Sequence, residues 1–449
     1  MSIFNHILSS RTKLEKLEPK LVIFDMDGLM FDTEKIGGIC FRKAAKELGY
    51  HVSEELSLSL IGGNGKRNHQ ILVDALGEDC PLDEISALSR KYRYQDFEEN
   101  GLGIKPGLVE LLAYLKEHQI KTAVASSSRR EVIDYYLQLS KLEHRFDYII
   151  SGDKVEKSKP EPDIFLNACD YFGYKPEECL VLEDSRNGVL AAHNGNIPVI
   201  CVPDLLFHDR DIFNLTFATV PTLQSVITLL KGIEIKTVIF DMDGLMFDTE
   251  NLCIEPLIQA HKNHGYNMTK EDCFKIIGTS GIITKKIMHE RFGEDYPFEI
   301  VMQEAMDLLL DLIRTKGLPI KSGLMDLLNY LQEQGIDCVV ASSSSEKTIK
   351  EYLELSNTAK YFKYIVGGNQ VKHSKPEPDV FLKALEIASV NNNEALIFED
   401  SKNGILAASR ANIPVVCVPD LLMHDQEVLN RSFAFIPSLD YAIKFIKKG

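Results

Sequence analysis

The feature that most constrains the fold of this chain is an internal duplication. The decapeptide DMDGLMFDTE at 25–34 recurs without change at 241–250, an interval of 216 residues (241 minus 25). SKPEPD at 158–163, EDS at 183–185 and VPDLL at 202–206 all return at the same interval. Because these landmarks stay in step, and because the period is far too long for a solenoid or propeller repeat, the sequence predicts two copies of one domain.

Length and composition agree with a chain of two domains. The protein has 449 residues, of which 45% are hydrophobic and 26% are charged, so there is enough apolar material for two cores. We expect one domain over 19–232 and a second over 233–449. Residues 1–18 have no separate counterpart before the second repeat. The sequence therefore predicts that they form an N-terminal helical extension.

The cysteine content and the net charge indicate which cell compartment and which classes of binding partner to expect. The nine cysteines form no CxxC pair and no metal-like spacing, and an odd number argues against a disulfide framework, so a reducing cytoplasm is expected. The N-terminal apolar stretch is interrupted by Asn5 and His6, which predicts neither a signal peptide nor a membrane span. A formal charge of −16 argues against nucleic acid as a partner, because binding the phosphate backbone needs a concentrated basic face.

Hydrophobic patterning predicts an α/β fold in each repeat. Apolar runs at 20–24 and 236–240 lead directly into the two decapeptides, and further strand-like runs alternate with helical stretches. Such alternation predicts a Rossmann-like, doubly wound parallel sheet. Between the decapeptide and Gly107 the sequence is helical and has no strand-like runs. We therefore expect a helical cap over about 33–103, and its equivalent over about 249–319, at the C-terminal edge of each sheet.

Acidic residues recur where the predicted strands end. Asp25 and Asp27 follow the first strand, and Glu183 with Asp184 ends CLVLED. A doubly wound sheet brings strand ends into one crevice, where several carboxylates repel one another unless a cation is bound. A set of oxygen ligands alone suits a hard ion, so the sequence predicts Mg²⁺ as the cofactor.

Two further recurring residues indicate which chemical group the ion would act on. Lys159 and the hydroxyl group of Ser126 are residue types that hold a phosphoryl group, the first by charge and the second by a hydrogen bond. A carboxylate aimed at such a group can act as a nucleophile and form an aspartyl-phosphate. The second aspartate of the pair can protonate the leaving oxygen and later accept a proton from water.

Four motifs, taken together and in order, resemble a known superfamily. DxDGxxxDTE, the serine motif ASSS, SKPEPD and LEDSxNG are similar to those of the haloacid dehalogenase superfamily, and within it of the β-phosphoglucomutase-like branch of small-molecule phosphatases and mutases. The resemblance covers 20–232 and 236 to the end. It implies a helical cap after the first strand of each copy. The dehalogenases of the superfamily lack this metal set, so the resemblance does not imply dehalogenation.

The resemblance implies a catalytic role for matching residues of both repeats. Asp25 and Asp241 would be nucleophiles, and Asp27 and Asp243 would be the acid/base residues. The phosphoryl group would be held by a serine and neutralised by a lysine in each repeat: Ser126 with Lys159, and Ser342 with Lys375.

The same resemblance implies a metal site in each repeat. In the first, Asp25, the main-chain carbonyl of Asp27, and Asp184 would hold the ion, with assistance from Glu183. In the second, the corresponding ligands would be Asp241, Asp243 and Asp400, assisted by Glu399.

The expected activity is that of a Mg²⁺-dependent phosphatase acting on small phosphomonoesters, such as sugar phosphates, with two active sites per chain. One alternative is a β-phosphoglucomutase-like sugar-phosphate mutase. Mutases of that branch commonly carry a cap histidine twelve residues after the nucleophile, where this chain has Gly37 and Cys253. The other alternative is that one domain is catalytic and the other is a ligand-binding regulatory copy.

The caps differ more than the cores do, and they are expected to select the substrate. Lys66 and Arg67 are predicted substrate contacts, although a basic pair on a cap is equally compatible with a solvated surface. The first domain is therefore predicted to prefer the more anionic substrate.

We expect the DTE segment at 32–34 to supply the N-terminal capping residues of the helix that begins the helical cap. His208 and His424 are expected to have surface or capping roles, and Cys201 and Cys417 are expected to be core thiols.

Overall fold

The computed structural model describes residues 18–60, 65–204, 210–277, 279, 281–421 and 424–448. Two compact units are present, one over Glu18–Leu230 and the other beginning at Lys231. The helix predicted for 1–18 lies outside the described residues except for Glu18.

The first unit is built on six strands. They are β1 (Leu21–Phe24), β2 (Lys121–Ser126), β3 (Tyr148–Ser151), β4 (Cys179–Glu183), β5 (Val199–Cys201) and β6 (Ala218–Thr219). All are paired in parallel, in the order β6-β5-β4-β1-β2-β3. β1 and β4 are buried on both faces, as in sheets that helices cover on both sides. Because the chain winds outward to β3 and then returns to β4, the winding reverses between β1 and β4, where sites of this fold class form.

The helices of the first unit follow the predicted alternation. They are α1 (Thr33–Glu47), α2 (Glu54–Ser59), α3 (Gly65–Leu76), α4 (Leu82–Asn100), α5 (Leu108–Glu117), α6 (Arg130–Leu139), α7 (Asp163–Phe172), α8 (Arg186–Asn194), α9 (Arg210–Phe213) and α10 (Leu223–Lys231). Short 3₁₀ turns lie at Gly152–Lys154 and Pro176–Glu178. α1 to α4 form the cap, whose own small core includes Ala45, Leu72 and Ile85.

Two linkers join the cap to the sheet, and they run side by side at the end of β1. Phe31 and Ile104 form an antiparallel bridge. The Asp32 N–H donates to the Gly103 carbonyl (3.0 Å), and the Lys105 N–H donates to the Met30 carbonyl (2.9 Å). The two linkers therefore enter and leave the cap directly beside the predicted nucleophile.

The second unit repeats this plan. Its strands are β7 (Ile233–Ile235), β8 (Thr237–Phe240), β9 (Asp337–Ala341), β10 (Phe362–Val366), β11 (Ala395–Glu399), β12 (Val415–Cys417), β13 (Ala434–Phe435) and β14 (Ile446–Lys448). The main sheet is parallel in the order β13-β12-β11-β8-β9-β10, and β7 pairs with β14 in a separate parallel ladder.

The helices of the second unit again include a four-helix cap. They are α11 (Thr249–Asn263), α12 (Lys270–Ile276), α13 (Gly281–Phe292), α14 (Phe298–Lys316), α15 (Leu324–Gln334), α16 (Glu346–Leu355), α17 (Asp379–Ala388), α18 (Lys402–Arg410) and α19 (Gln426–Arg431). Short 3₁₀ segments lie at Ala359–Tyr361, Gly368–Gln370, Asn392–Glu394 and Leu439–Phe445. The prediction of two parallel α/β sheets, each with a helical insertion after its first strand, is confirmed. Across the described helices, none combines the length and the apolar character that crossing a bilayer requires.

Candidate active sites

The predicted nucleophile Asp25 follows β1 at the point where the sheet winding reverses. Its N–H donates to the Leu182 carbonyl of β4 (3.0 Å), so the side chain emerges beside the end of that strand. The carboxyl group is buried and forms an ion pair with the Lys159 ammonium group. Burial raises the pKa of Asp25 to about 7, although Lys159 opposes the rise. The sheet thus places a buried carboxyl group and a buried cation in direct contact.

Lys159 joins the ends of three strands. Besides Asp25, its Nζ donates to Glu183 Oε1 (2.7 Å) and to the Ala125 carbonyl (3.3 Å). Burial alone would lower the pKa of this lysine, but the charges of Asp25 and Glu183 outweigh burial and raise it above its ordinary value. The lysine is therefore a fixed positive charge beside the predicted nucleophile.

Glu183 ends β4 and has both carboxyl oxygens engaged. Oε1 accepts from Lys159, and Oε2 accepts from the N–H groups of Asp184 (3.0 Å) and Ser185 (2.9 Å). A Cβ atom on Gly188, in the first turn of α8, would lie 1.7 Å from Oε1, so only glycine leaves room for this carboxylate. Glu183 was predicted to assist the metal, and its observed contacts orient Lys159.

Asp184 lies beside the turn made by Gly28. This glycine has φ of +82°, and a Cβ atom added to it would meet Asp184 Oδ2 at 2.2 Å. The left-handed backbone and the absent side chain let the two segments approach. Asp25, Glu183 and Asp184 offer oxygen atoms that all lie within 4.8 Å of one another.

The donor set at this position suits a hard divalent cation. Burial, followed by the charges of Glu183 and Glu34, raises the pKa of Asp184 well above its ordinary value. Clustered buried carboxylates must either protonate or bind a cation. Because the set contains only oxygen atoms, the residues fit Mg²⁺ or a similar ion.

Asp27, the predicted acid/base residue, is held by two hydroxyl groups. Thr33 Oγ1 donates to Oδ1 (2.9 Å), and Ser128 Oγ donates to Oδ2 (2.9 Å). Ser126, the predicted phosphate ligand, is buried at the end of β2, where its Oγ accepts from the Ser128 N–H (3.0 Å). Thr33 and Ser128 were not predicted as site residues, although both belong to repeated motifs that could have indicated them.

The prediction that the DTE segment caps α1 is wrong. Asp32 occupies the N-cap position but makes no capping hydrogen bond through its side chain; it pairs instead with Lys105 (2.6 Å). Thr33 binds Asp27, as described above. Burial, followed by the charge of Asp204, raises the pKa of Glu34 to about 8. The segment thus contributes to the site, because the short linker turns its side chains back over the end of β1.

The second unit reproduces these contacts. Lys375 pairs with Asp241 and with Glu399 Oε1 (2.7 Å for the latter). Burial raises the pKa of Asp241 to about 7, again against the opposing effect of the lysine. Asp241, Glu399 and Asp400 offer oxygen atoms within 4.8 Å of one another.

The predicted acid/base residue of the second unit is held in the same way. Asp243 accepts from Thr249 Oγ1 (3.0 Å) and from Ser344 Oγ (2.8 Å). Ser342 Oγ accepts from the Ser344 N–H (3.1 Å). Both repeats therefore carry the same arrangement of two aspartates, a lysine and a serine, the residues predicted as nucleophile, acid/base residue and phosphate ligands.

The histidine and cysteine predictions have different outcomes. His424 is half-buried, and its Nε2 donates to the main-chain carbonyl of Asp400, so a surface or capping role stays a prediction for it. His208 lies outside the described residues. Cys201 and Cys417 are buried in β5 and β12, which confirms that they are core thiols, and all nine cysteines of the chain are free.

The predicted cap contacts of the first unit are only partly described. Lys66 lies in α3, and its side chain is outside the described part of the structure. Arg67 is exposed, and its Nη1 donates to the Ser59 carbonyl (3.1 Å). Both remain predictions as substrate contacts.

Two other arginines of the first cap lie near the glycines of α1: Arg93 of α4, in the basic stretch RKYR at 90–93, and Arg42 of α1 itself. A Cβ atom on Gly37 would lie 3.7 Å from Arg93 Nη1, and one on Gly38 would lie 3.6 Å from Arg42 Nη1.

The same positions are apolar in the second cap. Arg93 and Arg42 are replaced by Leu309 and Ile258, and the two glycines by Cys253 and Ile254. Leu309 is buried, and Ile258 packs against the core of the second cap. The two caps therefore present different chemistry at equivalent positions.

Comparison with known proteins assigns the chain to a family. The family model for haloacid dehalogenase-like hydrolases matches residues 22–202 and again 238–418. The phosphorylated carbohydrates phosphatase of Thermotoga maritima is 34% identical over 177 residues, 39% of this chain and 81% of that protein. Protein CbbY of Rhodobacter capsulatus is 27% identical over 222 residues, 47% of this chain and 97% of that protein.

Among solved structures, the β-phosphoglucomutase of Clostridium difficile is 22% identical, with a TM-score of 0.39, and the match covers 46% of this chain and 93% of that chain. Each relative spans less than half of the chain, whereas the family model matches twice. This protein is a hydrolase that belongs to the haloacid dehalogenase-like family and carries its fold in two tandem copies.

Proposed function

We propose that each domain is a Mg²⁺-dependent phosphatase that hydrolyses small phosphomonoesters through an aspartyl-phosphate on Asp25 or Asp241. The observation that carries the proposal is the repeated contact of a buried aspartate with a buried lysine, beside a second aspartate that hydroxyl groups hold in place. A charged lysine next to the nucleophile favours an anionic substrate group at that position.

The first half of the reaction would use Asp25 and Asp27 in separate roles. An oxygen of Asp25 attacks phosphorus, and the bond to the leaving oxygen breaks. Protonated Asp27 donates its proton to that oxygen, so the alcohol leaves neutral. Thr33 and Ser128 fix the direction of the Asp27 carboxyl group (2.9 Å each).

In the second half, Asp27 would accept a proton from the attacking water, and inorganic phosphate would leave Asp25. Lys159 and Ser126 would hold the phosphoryl group in both halves. Mg²⁺, held by Asp25, Asp184 and the Asp27 carbonyl, would neutralise charge on the phosphoryl oxygens. Asp241, Asp243 and Asp400 would serve in the same way in the second domain.

Hydrolysis rather than phosphoryl return to the substrate is the favoured outcome. The two cap positions where mutases of this branch commonly carry histidine hold Gly37 and Cys253. Burial raises the pKa of the Cys253 thiol to about 12, so it is a neutral group at physiological pH. Neither side chain can exchange a proton with the leaving hydroxyl group as a histidine would.

We also propose that the two domains differ in substrate. Arg93 and Arg42 give the first cap two cations that face the glycines of α1, and a second anionic group on the substrate would pair with them. The second cap carries leucine and isoleucine there, which favours a substrate that is apolar at that end. T. maritima phosphorylated carbohydrates phosphatase, by its name, acts on phosphorylated carbohydrates, which is the class we propose for the first domain.

The decisive experiment measures phosphate release by full-length chains that keep one nucleophile. Asp241→Asn isolates the first site, Asp25→Asn isolates the second, and the double variant should be inactive. A panel of phosphomonoesters is assayed with Mg²⁺, after EDTA treatment, and after Mg²⁺ is restored. Phosphate release by both single variants, with different preferences, is the expected result.

Three other results would contradict parts of the proposal. Interconversion of two sugar phosphates without phosphate release would favour a mutase. Activity in only one single variant would favour one catalytic domain and one ligand-binding regulatory copy. Full activity after EDTA treatment would exclude the metal.

A further inference from the structure

A second pair of carboxyl groups lies beside each metal site. In the first domain it consists of Asp204, which follows β5, and Glu34, in the first turn of α1. Asp420 and Glu250 are the equivalent residues of the second domain. Asp204 and Asp420 have side chains that are each only 7% exposed. We call Glu34–Asp204 and Glu250–Asp420 the outer pairs.

The outer pairs face the same glycine turn that admits the metal-site aspartate. The Cδ atom of Glu34 lies 3.3 Å from the position of a Cβ on Gly28, and Asp184 Oδ2 lies 2.2 Å from that position. In the second domain, Asp420 Oδ2 and Asp400 Oδ2 lie 3.4 Å and 2.2 Å from the Cβ position of Gly244. Each outer pair thus borders the proposed metal site directly.

Several oxygen atoms of the outer pairs are buried without a hydrogen-bond donor in the described structure. They are Glu34 Oε2, Asp204 Oδ2 and Asp420 Oδ2. A buried carboxylate oxygen without a donor is costly, so these atoms favour a donor such as a bound water molecule. In the second domain Glu250 and Asp420 also hydrogen-bond to each other, which requires a proton on one of the two.

A lysine fixes the orientation of each buried aspartate. Lys105 contacts Asp204 Oδ1 and also Asp32 Oδ1 (2.6 Å for the latter). Lys321 contacts Asp420 Oδ1 and Asp248 Oδ1 (3.0 Å for the latter). With Oδ1 engaged by the lysine, Oδ2 is the oxygen that remains for a ligand.

We propose that the outer pairs are positioning residues of the metal sites, whose carboxyl oxygens accept hydrogen bonds from water molecules bound to the ion. The proposal rests on the proposed function, in that it needs the ion at Asp25 and Asp184. Mg²⁺ loses its water reluctantly and usually keeps several water ligands in proteins. Those water molecules are donors, and each outer pair supplies buried acceptors beside the ion. Removal of such an outer partner typically weakens metal binding about 10- to 100-fold.

The test is metal affinity, measured on the full chain with one site silenced. Asp400→Asn removes a proposed ligand of the second site, and binding of Mn²⁺ to the first site is then followed by electron paramagnetic resonance and calorimetry. Glu34→Gln and Asp204→Asn should each raise the Kd for Mn²⁺ by about 10- to 100-fold. The reciprocal background, Asp184→Asn, allows the same measurement for Glu250→Gln and Asp420→Asn.

Asp32→Asn is the matched control, because it removes the same charge from the same lysine at an exposed position. It should leave the Kd nearly unchanged. Metal-free thermal unfolding of every variant verifies that the fold is kept.

Two results would overturn the proposal. One is an unchanged Kd in both Glu34→Gln and Asp204→Asn. The other is an equal rise in Asp32→Asn, which would show a general charge effect. In the Asp400→Asn background, Asp184→Asn should abolish binding. Unchanged binding there would overturn the metal site itself, whereas loss there with no effect at the outer pair overturns only this inference.

Discussion

At the scale of single residues, Asp27 is held by two hydroxyl donors, one on each carboxyl oxygen. Thr33 lies at the start of α1, and Ser128 follows β2. The orientation of the Asp27 carboxyl group therefore depends on both the cap linker and the sheet. Two hydroxyl contacts fix the orientation of this carboxyl group, which is what the proposed general acid/base role requires.

We therefore expect Asp27→Asn to lower kcat of the first site by about 10²- to 10⁴-fold, the usual contribution of general acid/base catalysis. The change is made in the Asp241→Asn chain, so that phosphate release reports the first site alone. Asn preserves the shape; its Oδ1 can accept one of the two hydrogen bonds and its amide NH2 can donate to the other hydroxyl group, so the fold should be unaffected. Retention of full activity would contradict the assigned role.

Gly188 leaves the space that Glu183 occupies beside Lys159. Any Cβ atom there would overlap Glu183 Oε1, at 1.7 Å, and Glu183 in turn holds Lys159 (2.7 Å). We expect Gly188→Ala to displace the glutamate and the lysine, and to cost on the order of 10²-fold in kcat/KM of the first site. The loss in kcat/KM is measured by phosphate release in the Asp241→Asn chain, where only the first site has its predicted nucleophile.

Gly404→Ala, the equivalent change in the second domain, is the matched control for this experiment. It meets Glu399 Oε1 at 1.6 Å and should leave the first site unaffected. An active Gly188→Ala variant would show that Lys159 does not depend on Glu183 for its position.

At the scale of elements, the two caps are built on the same helices but enclose different chemistry. α4 carries Arg93 near Gly37 of α1 in the first cap, whereas α14 carries the buried Leu309 at the equivalent position. The glycines of α1 make room for the arginines, and bulkier residues occupy α11. The residues on these two helices of each cap are therefore expected to determine which substrate the domain prefers.

Arg93→Leu should lower kcat/KM of the first site by about 10- to 100-fold for phosphomonoesters that carry a second anionic group, the value of a charge-assisted hydrogen bond. Phosphomonoesters without a second anionic group should be affected far less. The comparison uses phosphate release from the two substrate classes in the Asp241→Asn chain. An equal loss for both classes would point to a structural role for the arginine.

The core of the second cap contains a buried histidine, which the first cap lacks. His261 in α11 carries its Nδ1 hydrogen, because that atom faces the Leu257 carbonyl (2.7 Å), and its Nε2 accepts from the Tyr296 hydroxyl group (2.6 Å). Burial lowers the pKa of His261 below its ordinary value of 6.5. The first cap has Ala45 and Cys80 at these positions.

The sign of the pH effect follows from this shift. Since the folded pKa is below the unfolded pKa, the unfolded state binds more protons, and the stability of the second cap should fall as pH drops below about 6.5. Hydrogen exchange in α11 and α14, compared with α1 and α4 of the same chain, measures the effect at pH 7.5 and 5.5. Equal changes in both caps would contradict it.

At the scale of the whole molecule, both domains concentrate buried carboxyl groups at one edge of a parallel sheet. The pKa of Asp25 and of Asp241 is about 7, and that of Glu34 and of Glu250 is about 8, in each case chiefly because of burial. In the metal-free protein these groups stabilise the fold most when protonated. That stability is lost as pH rises from about 4 through about 7 to 8.

Mg²⁺ should therefore stabilise the chain more at high pH than at low pH. A bound cation replaces the protons, and below pH 7 the protons compete with it for the same carboxyl groups. We expect the Mg²⁺-induced rise in Tm to be larger at pH 8 than at pH 5.5. Differential scanning calorimetry with and without EDTA tests this, and the Asp184→Asn, Asp400→Asn double variant should lose the effect. An equal rise at both pH values would contradict the prediction.

The sequence by itself determined the duplication, the α/β class, the helical insertions and the family. These properties depend on local signals: hydrophobic runs, motif order and a constant interval. It also indicated Asp25, Lys159 and Asp184 as candidate site residues, because motifs at the ends of parallel strands converge in any doubly wound sheet.

The tertiary structure alone decided which of these side chains touch and which neighbours join them. Ser128 reaches Asp27 across 101 residues, and Asp204 reaches Lys105 across 99. Glu183 faces the lysine because β4 lies beside β1, and Glu34 turns inward because the cap linker bends back over the sheet. Such contacts depend on strand order and on the path of the linkers, which residue spacing in a single sequence does not encode.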